Sequence, residues 1–177
     1  MKKETKITPW EVSGDIDYGK LIKKFGVSPM KKLPEVFNEN ILFRRGAIFA
    51  HRDFQRILES IEKKKKFVMM TGLMPTGKFH LGHVIIAKQF IFYQKLGAKV
   101  YIAVADIEAY AARGQSLEES RKIAFEEYIS NYVALGLDLK NCEIYFQSDR
   151  SNKAEKANAY YRLQNMLSRY VTFNEFR

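Results

Sequence analysis

The run Phe67-Val68-Met69-Met70, closed by Gly72 and Pro75 and followed by apolar residues at helical spacing, constrains this chain more than any other segment. Successive apolar residues ended by turn-formers predict a buried parallel strand and not one arm of an amphipathic hairpin. Val84-Ile85-Ile86-Ala87 and Phe90-Ile91-Phe92 then continue as a helix that stops at Gly97. The alternation repeats. Ala98 to Ala105, with Val100, Ile102 and Val104, reads as a second buried strand, and Ser116-Leu117-Glu118-Glu119 is a capping box opening a helix through Leu135, ended by Gly136. Ile144-Tyr145-Phe146-Gln147 is a third strand and Ala154 to Tyr170 a further helix. Alternation of this kind implies an α/β fold with a parallel, doubly wound sheet and right-handed crossovers. Its strand ends at Gly72, Asp106 and Gln147 then share one edge, the edge where such sheets bind ligands. Residues 67–177 carry this pattern. Residues 1–66 form an extension of short pieces broken by Gly14, Gly26, Pro29 and Pro34, closing with a helix from Asp53 to Lys65.

Between the first strand and its helix lies Thr71-Gly72-Leu73-Met74-Pro75-Thr76-Gly77-Lys78-Phe79-His80-Leu81-Gly82-His83. Amides of a glycine-rich strand-to-helix turn point outward, and the helix dipole adds partial positive charge, so an anion is favoured there before any side chain contributes. His80 and His83, three apart, share a face of the first turn and can both reach that anion. Two histidines around a glycine also suffice merely to start a helix with polar residues. The strand before them and the Pro-Thr-Gly turn favour a phosphate site. Metal binding is set aside, because a spacing of three suits a zinc helix less than four and no carboxylate or cysteine follows nearby.

At 177 residues the chain makes one domain or slightly more. A formal charge of +10 favours an anionic partner, nucleic acid included, although lysine-rich surfaces also serve solubility. Lys63-Lys64-Lys65-Lys66 reads as the solvated end of a helix, where cations meet the carboxyl-terminal dipole. Arg44, Arg45, His51 and Arg52 form a dense polar cluster that surface placement explains more cheaply than catalysis, with a nucleic-acid or subunit contact as the functional alternative. The single cysteine, Cys142, excludes an internal disulfide framework and reads as a small hydrophobe. No segment has the length of a signal peptide's apolar core or of a membrane span, so a cytoplasmic protein is expected. After the second strand, Asp106 fits a structural role, whereas Glu108 would project near the pocket of the histidine turn, where an acceptor suits an ammonium or an indole N–H.

His80-Leu81-Gly82-His83 resembles the first signature of class I aminoacyl-tRNA synthetases. Thr8-Pro9-Trp10-Glu11-Val12, Asp17-Tyr18-Gly19-Lys20-Leu21-Ile22 with Phe25-Gly26, Phe43-Arg44-Arg45-Gly46 with His51-Arg52-Asp53-Phe54, and Val171-Thr172-Phe173-Asn174 are similar to blocks of the archaeal and eukaryotic tryptophanyl-tRNA synthetases. The resemblance covers nearly the whole chain, with its motifs in order. It implies a Rossmann-like catalytic domain, incomplete, behind an amino-terminal extension. It also implies a two-step reaction: tryptophan and ATP give tryptophanyl-adenylate and pyrophosphate, and the aminoacyl group then passes to tRNA(Trp). By this resemblance His80 and His83 are catalytic, Gly72, Thr76, Gly77, His80, Gly82 and His83 bind ATP with Mg2+ on the phosphates, and Met70, Ala103 and Glu108 line the amino-acid pocket. A homodimer is implied as well.

Departures qualify that reading. Eukaryotic members carry a tyrosine and a glutamine where this chain has Met70 and Ala103, and an arginine where it has Leu73, so the pocket is less polar and leans on Glu108. A tyrosine-tRNA ligase is the nearest rival, opposed by the Pro9-Trp10-Glu11-Val12 block. The family's second signature, a lysine-serine loop, has no counterpart before Arg177. Three expectations follow from that: an amino-terminal piece of a longer enzyme, inactivity of the piece alone, and an unpaired sheet edge with exposed apolar surface. A non-catalytic nucleotide- or tRNA-binding module is the alternative from another class, and a nucleotidylyltransferase sharing the histidine turn ranks behind it.

Overall fold

The computed structural model describes residues 6–7, 12–13, 18–31, 33–151, 162–163 and 166–167. The Trp10 block, Val171-Thr172-Phe173-Asn174 and most of the helix expected over 154–170 lie outside them. Contacts divide the chain into two units, Met1–Glu59 and Ser60–Arg177.

In the first unit, strands β1 (Lys6–Ile7) and β2 (Val12–Ser13) pair antiparallel, and helix α1 (Tyr18–Phe25) follows. Gly26 turns α1 off at φ +57, a left-handed conformation that costs glycine little. Strand β3 (Ser28–Pro29) pairs antiparallel with β4 (Ala50–His51) across a 3-10 turn, Glu35–Glu39, and helix α2 (Ile41–Arg44). The core of this unit is aromatic. Phe37, 1% exposed, meets Phe43 and Phe54 edge-on with ring centroids 5.0 and 5.8 Å away. Two members of the polar cluster expected at the surface have structural tasks. The Arg52 guanidinium donates to the Phe25 carbonyl at the end of α1 (2.9 Å), and His51 Nδ1 accepts from the Phe54 N–H (3.2 Å). Helix α3 spans Gln55–Glu62, shorter at both ends than expected, because Asp53 and Lys64 take positive φ angles of 53° and 49°.

The second unit holds the expected parallel sheet, in the order β5 (Phe67–Leu73), β6 (Ala98–Val104), β7 (Cys142–Phe146). Register aligns Leu73, Val104 and Phe146, so the strand ends do share one edge. Helix α4 (Leu81–Lys95) connects the first two strands and ends at Gly97, φ +101. After β6 come α5 (Asp106–Arg113) and α6 (Leu117–Ile123), the latter capped by Ser116 as its sequence indicates. The single helix expected to Leu135 is interrupted: a π-helical turn, Ala124–Ile129, separates α6 from α7 (Ser130–Ala134). Gln147 does not extend the third strand but starts the short helix α8 (Gln147–Ser151).

One face of this sheet is packed. Val100, Ile102, Val104 and Phe146 meet Phe90 and Ile91 of α4 together with Tyr128 and Tyr132. The other face corrects the expectation of a strand buried on both sides: Val68 and Met70 of β5 are 61% and 62% exposed. Burial alternates along β5, and among the described residues only β6 pairs with it. Val68 and Met70 are themselves apolar, so the run carries no mark of which side is covered. Strand order does not reverse within the described sheet. Cys142 packs partly against the core, and desolvation, helped by Asp138 and Glu143, pushes its thiol up to about 11. It is un-ionised at neutral pH and behaves as a small hydrophobe.

Candidate functional site

The turn after β5 is fixed at every step. The Leu73 carbonyl accepts the Ala105 N–H (2.7 Å), which ties the carboxyl ends of β5 and β6 together. Pro75 is fully buried, the Thr76 N–H folds back to the Met74 carbonyl (2.9 Å), and Gly77 stands at φ +99, where a side chain would be strained. His80, with extended backbone angles of −144° and 175°, is the N-cap of α4.

Capping is reciprocal and uses imidazole nitrogens where helices ordinarily use hydroxyl and carboxylate oxygens. His80 Nδ1 accepts the Gly82 N–H at 3.1 Å, and His83 Nδ1 accepts the His80 N–H at 3.2 Å. A nitrogen that accepts a backbone N–H carries no proton, so both rings are held as the neutral tautomer with the hydrogen on Nε2. Two single-proton donors therefore stand at the positive end of a helix dipole, which is the arrangement an oxyanion needs. The rings lie 3.8 Å apart between centroids. Burial, and then the charge of His80, lower the His83 pKa from 6.5. Gly82 serves this geometry from within: a Cβ there would sit 3.0 Å from His80 Cε1 and 3.1 Å from its Nδ1. Gly82, expected among the ATP-binding residues, thus also bears on how the His80 ring is seated.

Support comes from the interrupted helix. Phe79 stacks on His83 at 5.4 Å and meets Tyr128 and Tyr132 edge-on, and Tyr128, 1% exposed, meets His83 edge-on at 4.8 Å. Glu127 Oε2 accepts the Phe79 N–H (3.3 Å), while Gln115 Nε2 donates to the Pro75 carbonyl (2.7 Å) and to Ser120 Oγ (2.8 Å). Sequence reasoning missed these residues. A signal was present in the fourfold spacing of Ser120, Ala124, Tyr128 and Tyr132, all buried. At 3.6 residues per turn such a row drifts by about 120° over its length, so it stays on one face only if the helix widens.

The other expected site residues lie along the same carboxyl edge. Gly72 pairs with Ala103, which pairs with Tyr145, and Met70 pairs with Tyr101. Met70, Gly72 and Ala103 thus share the open face of the sheet on neighbouring strands. Met70 and Gly72 are exposed, Ala103 is buried, and a Cβ at Gly72 would meet nothing within 4 Å. Thr76 is half-buried and Gly77 exposed. Glu108 is exposed on the first turn of α5. Asp106 is fully buried and structural: its carboxylate accepts the Ser148 N–H (3.1 Å), the Ser148 hydroxyl and the Ile107 N–H, latching α8 to α5.

Residues 62–176 match the family described as tRNA synthetases class I (W and Y). The chain belongs to that family. It is 44% identical over 172 residues to the tryptophan–tRNA ligase of Archaeoglobus fulgidus, covering 97% of this chain and 39% of that protein. With the tryptophan–tRNA ligase of Aeropyrum pernix the identity is 41% over 175 residues, covering 96% and 45%. The fold superposes on the crystal structure of the Aeropyrum pernix tryptophanyl-tRNA synthetase with a TM-score of 0.77 at 42% identity, over 89% of this chain and 43% of that one. On the Encephalitozoon cuniculi tryptophanyl-tRNA synthetase bound to tryptophan the TM-score is 0.73 at 27% identity, over 91% and 45%. The chain spans less than half the length of these family members.

Proposed function

We propose that this chain supplies the histidine signature and part of the amino-acid pocket of a tryptophan–tRNA ligase. The observation that carries the reading is the reciprocal histidine cap, which aims two Nε2–H donors outward from the start of α4. In the first step a tryptophan carboxylate oxygen bonds to the α-phosphorus of ATP, and the bond to the bridging oxygen breaks, with pyrophosphate leaving with the electron pair. Charge grows on phosphate oxygens, and His80 and His83 donate to them as it does. The turn at Gly77 and the Thr76 hydroxyl complete the cradle, the Thr76 N–H being bonded to the Met74 carbonyl. In the second step a terminal ribose hydroxyl of tRNA(Trp) takes the aminoacyl group and AMP leaves.

Met70 and Ala103 give the indole an apolar wall, and Glu108 supplies the acceptor. Mg2+ would ride on phosphate oxygens. Among the described residues, no helix is long and apolar enough to cross a membrane. A cytoplasmic homodimer completes the proposal.

Amino-acid-dependent ATP–pyrophosphate exchange on the protein as encoded, with tryptophan and tyrosine offered separately, tests it. Exchange with tryptophan alone is the expected result. Exchange with tyrosine alone overturns the specificity, and none with either moves the reading to a binding module. In the same assay Gly82→Ala should lose activity while keeping its melting temperature. Its methyl presses the His80 ring out of its present seat, yet alanine is the better helix former by about 0.5–1 kcal/mol.

A further inference from the structure

The π-helical turn Ala124–Ile129 is closed by a bond from the Ser130 N–H to the Phe125 carbonyl, five residues back. Such turns are rare in helices and recur at functional sites. This one brings two consecutive side chains to the histidine turn: Glu127 to the Phe79 N–H, and Tyr128 to the rings of Phe79 and His83. Phe79 immediately precedes the His80 N–H, which donates to His83 Nδ1 and thereby sets the tautomer of that ring. The far end of the same turn is held by Gln115 on the Pro75 carbonyl. A charged residue in the sequence Glu126-Glu127 would otherwise belong to a solvated helix face, yet Glu127 is half-buried against the turn.

We propose that Glu127 is a positioning residue, which by holding the 78–79 peptide through the Phe79 N–H places the next peptide, the one that carries the His80 N–H, so that His83 is held with its proton on Nε2 and aimed at substrate. The inference rests on the adenylation reading for its kinetic consequence alone; the tautomer follows from the geometry whatever the substrate. Glu127 touches no reacting atom. Its carboxylate acts as an acceptor, so a neutral amide oxygen in the same place does the same work.

Long-range proton–nitrogen NMR of the histidine rings, in the protein as encoded, reads the tautomer directly. Wild-type His83 should show the Nε2–H form, and Glu127→Ala a mixture of both. In pyrophosphate exchange Glu127→Ala should lower kcat by about tenfold or more with KM for ATP and tryptophan within about twofold, whereas Glu127→Gln restores kcat to within about threefold. A wild-type His83 protonated on Nδ1 overturns the proposal without any variant. So does an unchanged tautomer in Glu127→Ala, or a Glu127→Gln protein as impaired as Glu127→Ala. If wild-type protein exchanges with neither amino acid, the adenylation reading fails while the tautomer result still decides the role of Glu127.

Discussion

Replacing His83 with alanine should lower tryptophan-dependent pyrophosphate exchange by about 10²–10³, the cost of removing one preorganised donor from a developing oxyanion. The loss should appear in kcat, because an interaction strengthened as charge develops contributes little to ground-state binding. His80→Ala should behave similarly, and the double variant should fall short of the product of the two, since the rings lie against each other with centroids 3.8 Å apart and each helps to hold the other in place. The pH profile offers an independent check. Burial and the neighbouring His80 lower the His83 pKa from 6.5, so its neutral, Nε2–H form persists into mild acid, and an acid limb assigned to this ring should lie below 6.5. An acid limb above that value would contradict the neutral-donor arrangement.

The largest effect on stability should come from Phe90→Ala. Phe90 is fully buried on α4 and meets Tyr132 edge-on at 5.0 Å, with Ile102 and Val104 of the sheet in the same cluster. Truncating a buried phenylalanine costs about 3–5 kcal/mol, transfer and cavity together. Phe90→Leu, which keeps most of the volume, should cost much less. Chemical denaturation of the protein as encoded measures both, and equal midpoints for Phe90→Ala and wild type would place Phe90 outside the core. Because Tyr132 also meets Phe79, the alanine variant should loosen the histidine turn as well.

What the sequence makes legible follows from periodicity. The apolar spacing of α4, its stop at Gly97, the central strand with Val100, Ile102 and Val104, and the Ser116 cap all carry their signals within a few residues. The histidine turn is legible because glycine, proline and histidine are uncommon together between a strand and a helix. What stays hidden depends on three-dimensional partners. Val68 and Met70 look like core because an apolar side chain records nothing about whether a layer covers it, and they prove exposed. Glu127 looks like half of an acidic surface pair, and only the fold brings it against Phe79. Ser120 breaks the apolar row whose spacing of four would otherwise announce the widened helix; it is buried because Gln115 bonds its hydroxyl. Asp106 reads as structural from its place after the second strand, and only the fold shows its carboxylate reaching Ser148.

Functional side chains are commonly a burden on the fold, so that neutral replacements at an active site often raise stability while abolishing activity. The histidine cap reverses that relation. Each ring satisfies an amide that would otherwise be left without a partner at the start of α4, so discarding either one weakens the helix entrance by about 0.5–2 kcal/mol as well as the chemistry. Selection for folding alone would therefore retain a good part of this motif. Engineering for thermal robustness should look elsewhere in the chain, because at these two positions endurance and function draw on opposite nitrogens of the same two rings.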